Sequence, residues 1–268
     1  MDNRPIGFLD SGVGGLTAVK AALQLLPQES TVFIGDQARL PYGPRPIQQV
    51  QTFTKQLVQF LVKRDVKVIV IACNTATAAA LTWVRQQFTL PIFGVIAAGS
   101  RQAVALTKQQ QIGLIATQGT IASKAYEREI QQLAPQVTVQ GLATPEFVTL
   151  VEQGQYHDAQ ILQQVQKILS PLTKLDLDTL ILGCTHFPLL QPTIQQVMGA
   201  SVQLVDAGAQ TVQELQRFLV QEQLQADPDS PVSHHYYTTG QPDSLQGIAQ
   251  EWLEETNLVV KEVDLGAN

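Results

Sequence analysis

The stretches VIVIACNT (68–75) and TLILGCTH (179–186) decide how this chain is read. Each is a short apolar run that closes on a small residue, a cysteine and then polar residues. Runs of this length, bounded by turn signals, read as strands buried on both faces, as in parallel sheets. The chain has two cysteines, Cys73 and Cys184, and both occupy this one place. In an open α/β sheet, ligands bind at the carboxyl ends of the strands. Free cysteine is often a plain core residue, and a disulfide between the two is the other structural reading. Matched contexts, with no third cysteine elsewhere, favour delivery of both thiols to strand tips.

Working outward, apolar runs and turn residues predict further strands at 5–9, 31–35, 91–96, 111–116, 137–142, 202–205, 235–239 and 258–263. Helical spacing and capping signals predict helices at 16–26, 47–63, 76–88, 97–106, 121–133, 146–153, 158–169, from about 188, at 207–223 and at 244–254. This alternation is the signature of parallel α/β architecture. The two cysteine strands fall in different halves. The expected fold is therefore two similar doubly wound parallel-sheet α/β domains related by a pseudo-two-fold, with the active site in the cleft between them. The boundaries expected are 1–97 plus 207–268 for the domain of Cys73, and 98–206 for that of Cys184.

Composition narrows the function. The chain has 268 residues, 44% of them hydrophobic, enough for a real core. Its 17 basic and 23 acidic residues give a net charge of −6. With no basic cluster, nucleic acid and anionic membrane surfaces are poor partners. No apolar run approaches the roughly 18–20 residues of a membrane span. The start, MDNRPIGFLD, lacks a signal-peptide pattern, and two cysteines fit a reducing cytoplasm.

The loop DSGVGG (10–15) invites a phosphate-loop reading. The dinucleotide pattern needs glycine at 17, which is Thr17, and the nucleotide pattern needs Gly-Lys-Ser/Thr. What remains is a tight turn and a helix N-terminus suited to any anion, a carboxylate included. Asp10 sits at its strand tip, where a capping role is the structural alternative. Asp36 ends the second strand, and an ordered, proline-rich loop at 37–46 carries Tyr42 and Gly43.

Two thiols suggest one reaction. A thiol with an ordinary pKa near 8.5 is activated at a helix N-terminus, and both cysteines precede an expected helix start. One thiolate can remove a proton from a carbon while the opposite thiol returns one from the other face, inverting the centre. Ser11, Asn74, Thr75, Thr117, Thr120 and Thr185 fall after strands and could hold the carboxylates of a zwitterionic substrate. Asp10 could meet an ammonium group or support Cys73, and His186 could support Cys184. Asp36 and Glu152 have the weaker case, since either reads equally as a capping or surface carboxylate. The four histidines, His157, His186, His234 and His235, make no metal-ligand spacing with the cysteines. No lysine lies at a strand tip for a pyridoxal Schiff base. Neither a metal nor a cofactor is expected.

LDSGVGGL (9–16), PYG (41–43), ACNTATA (72–78) and GCTHFPLL (183–190) together resemble the glutamate racemases, cofactor-independent amino-acid racemases. The resemblance covers essentially the whole chain. It implies interconversion of L- and D-glutamate, with D-glutamate supplied to bacterial peptidoglycan. It assigns Cys73 to the D-enantiomer and Cys184 to the L-enantiomer. It carries substrate contacts onto Asp10, Ser11, Tyr42, Gly43, Asn74, Thr75, Thr185 and His186, with Thr117 and Thr120 less firmly placed. Asp10, Asp36, Glu152 and His186 match positions considered as helpers of the thiols. Homodimers are usual in that family.

Three other readings stand beside it. A related racemase would act on aspartate or a hydantoin. A thiol hydrolase or transferase would use Cys184 as nucleophile with His186 beside it and leave Cys73 idle. A two-lobed amino-acid-binding protein would need neither cysteine.

Overall fold

Every strand pairing in the computed structural model is parallel, and the strands form two sheets. The structure describes residues 1–157 and 160–266. The first half runs β1 (Ile6–Asp10), α1 (Leu16–Leu25), β2 (Thr31–Gly35), α2 (Ile47–Val62), β3 (Val68–Ile71), α3 (Asn74–Arg85), β4 (Ile92–Gly94) and α4 (Val95–Leu106). The second runs β5 (Gln111–Ala116), α5 (Gln118–Ser123), α6 (Ala125–Leu133), β6 (Thr138–Ala143), α7 (Pro145–Glu152), α8 (Ile161–Leu169), β7 (Thr179–Gly183), α9 (Gln191–Met198) and β8 (Gln203–Asp206). The long helix α10 (Ala207–Gln221) then leads to β9 (His234–Thr238), α11 (Pro242–Leu253) and β10 (Val260–Glu262).

The sheet orders are β10-β9-β2-β1-β3-β4 and β6-β5-β7-β8. Strands 2-1-3-4 of the first sheet and 6-5-7-8 of the second thus repeat one topology, and β9 and β10 extend the first sheet alone. In each repeat the winding direction reverses between the first and third strands. That reversal opens a crevice at the strands' carboxyl ends.

Alternating side chains build the core. On β1 and β3, Ile6, Phe8, Val68 and Val70 face a central core, while Leu9, Ile69 and Ile71 face a second one under α2. Leu180 and Leu182 of β7 join the same central core, whereas Ile181 faces a third with Ile112 and Leu114 of β5. One apolar layer therefore runs under both sheets. At the far end of the first sheet, buried Lys67 pairs with buried Glu29 at 2.5 Å. Lys67 also donates to the carbonyls of Asp2 and Leu224, each at 2.7 Å, which fixes the chain just after α10. Among the described residues, no helix is long and apolar enough to cross a membrane.

Most expected elements stand within three residues of their observed bounds. The helix expected at 121–133 is two: α5 starts earlier because Thr117 caps it, its Oγ1 accepting from the Thr120 amide at 3.3 Å. Lys124, at φ 55°, then breaks the run. The strand expected at 91–96 ends at Gly94, and Val95 already opens α4. There the Val95 amide donates to Thr77 Oγ1 at 3.4 Å instead of continuing a ladder. The helix expected at 158–169 begins outside the described residues and is observed over Ile161–Leu169.

Candidate active site

Both sulfurs stand at a reversal crevice. Cys73 follows β3, beside the tip of β1; Cys184 follows β7, beside the tip of β5. Neither is in a disulfide. Cys73 is 6% exposed on the second core and Cys184 7% exposed on the central one. Though backed by different cores, both line a single cavity of about 250 Å³. Ser11, Tyr42, Gly43, Asn74, Thr75, Thr117, Thr185 and His186 line it with them.

Cys73 is the N-cap of α3, its Sγ accepting from the Ala76 amide at 3.4 Å. Its thiol also meets Ser11 Oγ at 3.5 Å. A helix terminus stabilises an anion by up to about 2 kcal/mol, but burying a charge costs several. Burial wins here, and with the nearby Asp10 carboxylate it pushes the Cys73 thiol up to about 12. The expected activation by the helix is thus overridden. Asp10 is wholly buried beneath the cavity, not on its wall. It accepts from the Gly12 amide at 3.0 Å and from Thr185 Oγ1 at 3.5 Å. Burial raises its own pKa, while the His186 charge and backbone amides work against that rise.

Cys184 is set differently. No α-helix starts behind it: a 3-10 turn, Phe187–Leu190, follows, and α9 opens only at Gln191. The expectation of a helix N-terminus at this thiol is therefore corrected. A side-chain relay stands in its place. His186 Nδ1 lies 3.7 Å from Cys184 Sγ, and His186 Nε2 lies 2.6 Å from Glu152 Oε1. Burial by itself lowers the imidazole pKa, but the bonds to Cys184 and Glu152 outweigh it and raise it to about 10. A cation thus stands beside the Cys184 sulfur.

Hydroxyls and bare backbone close the walls. Thr75 Oγ1 lies 2.9 Å from Thr117 Oγ1 and 3.3 Å from Thr120 Oγ1, joining the two halves across the cleft. Thr120 sits behind Thr117, off the cavity surface. The glycine loop has a tighter purpose than anion binding. A Cβ at Gly14 would stand 2.2 Å from Thr185 Oγ1 and 2.7 Å from His186 Nδ1. Likewise a Cβ at Gly119 would stand 2.4 Å from the Gly43 carbonyl oxygen. At Gly14 the bare backbone of one half meets two side chains of the other, and at Gly119 backbone meets backbone.

Asp36 lies away from the thiols. Fully buried, it pairs with Arg39 Nε at 2.7 Å, accepts from Thr239 Oγ1 at 2.7 Å and accepts a short bond from the Tyr42 hydroxyl. It thereby ties the 37–46 loop to the sheet and sets Tyr42 in the wall. Pro145, Val148 and Thr149 of α7 complete the cavity with Leu40, Pro41, Pro44 and Gln118. Sequence reasoning missed these seven. Three of them carried a signal, because Pro145, Val148, Thr149 and Glu152 follow i, i+3, i+4, i+7 spacing and share one helix face. Among the described residues, no three His, Cys, Asp or Glu side chains group as metal ligands.

The family model described as Asp/Glu/Hydantoin racemase matches residues 12–215. The glutamate racemase of Lactiplantibacillus plantarum is 50% identical over 263 residues, covering 98% of this chain and 96% of that protein. The structure of a glutamate racemase isoform from Bacillus anthracis superposes with a TM-score of 0.94 at 41% identity, over 99% of each chain. That of the Francisella tularensis glutamate racemase in complex with D-glutamate gives 0.91 at 33% identity, again over 99% of each.

Proposed function

The chain belongs to the Asp/Glu/hydantoin racemase family, and we propose that it interconverts L- and D-glutamate by proton transfer between the α-carbon and two thiols. The observation that carries this is the pair of unbonded sulfurs, backed by separate cores, on one small cavity. Cys184, as thiolate beside protonated His186, takes the α-proton of L-glutamate. Cys73, resting as a thiol, gives its proton to the opposite face, and D-glutamate leaves. The reverse reaction starts from the complementary state, Cys73 as thiolate and Cys184 as thiol. A positioned acid or base contributes about 10²- to 10⁴-fold each.

Ser11, Tyr42, Gly43, Asn74, Thr75, Thr117 and Thr185 are the proposed substrate contacts. Thr120 supports Thr117, and Asp36 acts through Tyr42. Asp10 sits where it can feel a substrate ammonium through Thr185 and Ser11. Glu152 holds His186 charged. Residues 1–97 plus 207–268 and residues 98–206 are the two proposed domains, with the substrate in the cleft between them. Under the same reading the product serves peptidoglycan synthesis in the cytoplasm, and the working form is a homodimer; light scattering and a D-glutamate-auxotroph rescue test these directly.

The central test is α-proton exchange in deuterated water with Cys73→Ser and Cys184→Ser. Each variant should lose at least about 10³-fold in racemisation. Cys73→Ser should still exchange L-glutamate without inversion, and Cys184→Ser should still exchange D-glutamate. Near-normal turnover in either variant would refute the two-thiol assignment. A substrate adduct trapped on Cys184 would point instead to a nucleophile.

A further inference from the structure

Asn74 lines the cavity as the first residue of α3, directly after Cys73. Its side chain is held from the other half of the molecule. The Tyr126 hydroxyl on α6 donates to Asn74 Oδ1 at 2.7 Å, and both residues are buried. Tyr126 is fully enclosed in the core of the second sheet with Ile130 and Ala103. A buried phenol needs a partner for its hydroxyl, and here that partner is a residue on the cavity wall.

An amide side chain presents an acceptor on one side and two donors on the other. A hydroxyl donor fixed at Oδ1 makes that side the acceptor and leaves the Nδ2 hydrogens as what Asn74 offers the cavity. Donors suit a carboxylate, whereas an amide turned the other way would set an oxygen against it. We propose that Tyr126 is a positioning residue for the racemase reaction: it locks the Asn74 amide with its donors toward a substrate carboxylate. This rests on the reading of function given above.

Burial, with lesser contributions from Asp206 and Cys184, raises the Tyr126 pKa far above its ordinary value. The phenol therefore stays a neutral donor across the working pH range. The same bond joins α6 of the second half to the first turn of α3, so the amide is oriented only when the two halves are together.

The test compares Tyr126→Phe, Asn74→Ala, the double variant and Asn74→Asp in the full-length chain, following racemisation of both enantiomers by circular dichroism. Tyr126→Phe should raise KM about tenfold for each enantiomer while kcat stays within about threefold, the pattern of lost uniform binding. The double variant should be no worse than Asn74→Ala alone, because Tyr126 acts through Asn74. Asn74→Asp keeps an acceptor for Tyr126 but presents no donor, so its KM should rise at least as far. It reads the same inference should the phenylalanine variant not fold. An unchanged KM in Tyr126→Phe or in Asn74→Asp overturns the inference. So do penalties that simply multiply in the double variant, or a lowered Tm with parental kinetics. A parent chain that binds glutamate without racemising it sinks the reading of function instead. Calorimetric Kd values for D-glutamate then carry the comparison, with the same tenfold weakening expected.

Discussion

Cys73 and Cys184 hold the same topological position, after the third strand of the four-strand repeat, yet their surroundings share almost nothing. The Cys73 sulfur has a helix amide, a hydroxyl and a buried carboxylate nearby. The Cys184 sulfur has no helix behind it and a carboxylate-backed imidazole beside it. The repeat decides where the sulfurs go; local side chains decide what surrounds each one. A reaction that takes a proton on one face and gives one on the other needs that difference, because two thiols in identical states could do only half of it.

Alkylation tests the contrast most severely. The two cysteines are buried to nearly the same extent, so iodoacetamide should report charge rather than access. With its pKa pushed up to about 12, Cys73 should react on the order of 10³ times more slowly than a free thiol at neutral pH. Cys184, with a cation at its side, should be modified first. Peptide mass spectrometry gives the order, and equal rates would erase the asymmetry.

Glu152→Gln should weaken it. Without that carboxylate the imidazole slips back toward its ordinary value, and turnover should fall about 10- to 100-fold, increasingly so as pH rises through neutrality. Stability has the same sign. A His186 pKa raised from an unfolded value of about 6.5 stabilises the fold fully below that pH, and the contribution disappears as pH climbs through about 10. Melting curves across that window should slope less in the variant than in the parent.

The smallest effect belongs to Ser11→Ala. Losing a hydrogen bond of about 1 kcal/mol to Cys73 should cost roughly fivefold. Mirror-image substrates have equal free energy in water, so kcat/KM must fall equally in both directions in every variant. Only kcat and KM taken separately can favour one direction, and for Ser11→Ala the larger kcat loss should fall on D-glutamate.

The strand tips were legible because apolar runs with abrupt polar ends are a one-dimensional signal. So were ten of the cavity residues, since each follows such a run or sits in the proline-rich loop. The electrostatics were not. The helix behind Cys73 is real, but only the packed structure shows that burial outweighs it. Pro188 reads as a helix-starting signal, yet Phe187–Leu190 is a tight 3-10 turn before α9. Asp36 drew notice for its strand-end position, which holds. Its contacts with Arg39, Thr239 and Tyr42 depend on a loop and on a strand some two hundred residues later. Tyr126, far from any motif, gave no sequence signal at all.

Where Gly14 meets Thr185 and His186, and Gly119 meets Gly43, even a methyl group has no room. Hydrogen-thin shims of this kind leave nothing to trim on the glycine side, so no larger residue fits at Gly14 or Gly119 without displacing what it faces. A catalyst for a longer or shorter acid would have to be carved elsewhere, and the exposed choice is the face of α7 that carries Val148 and Thr149.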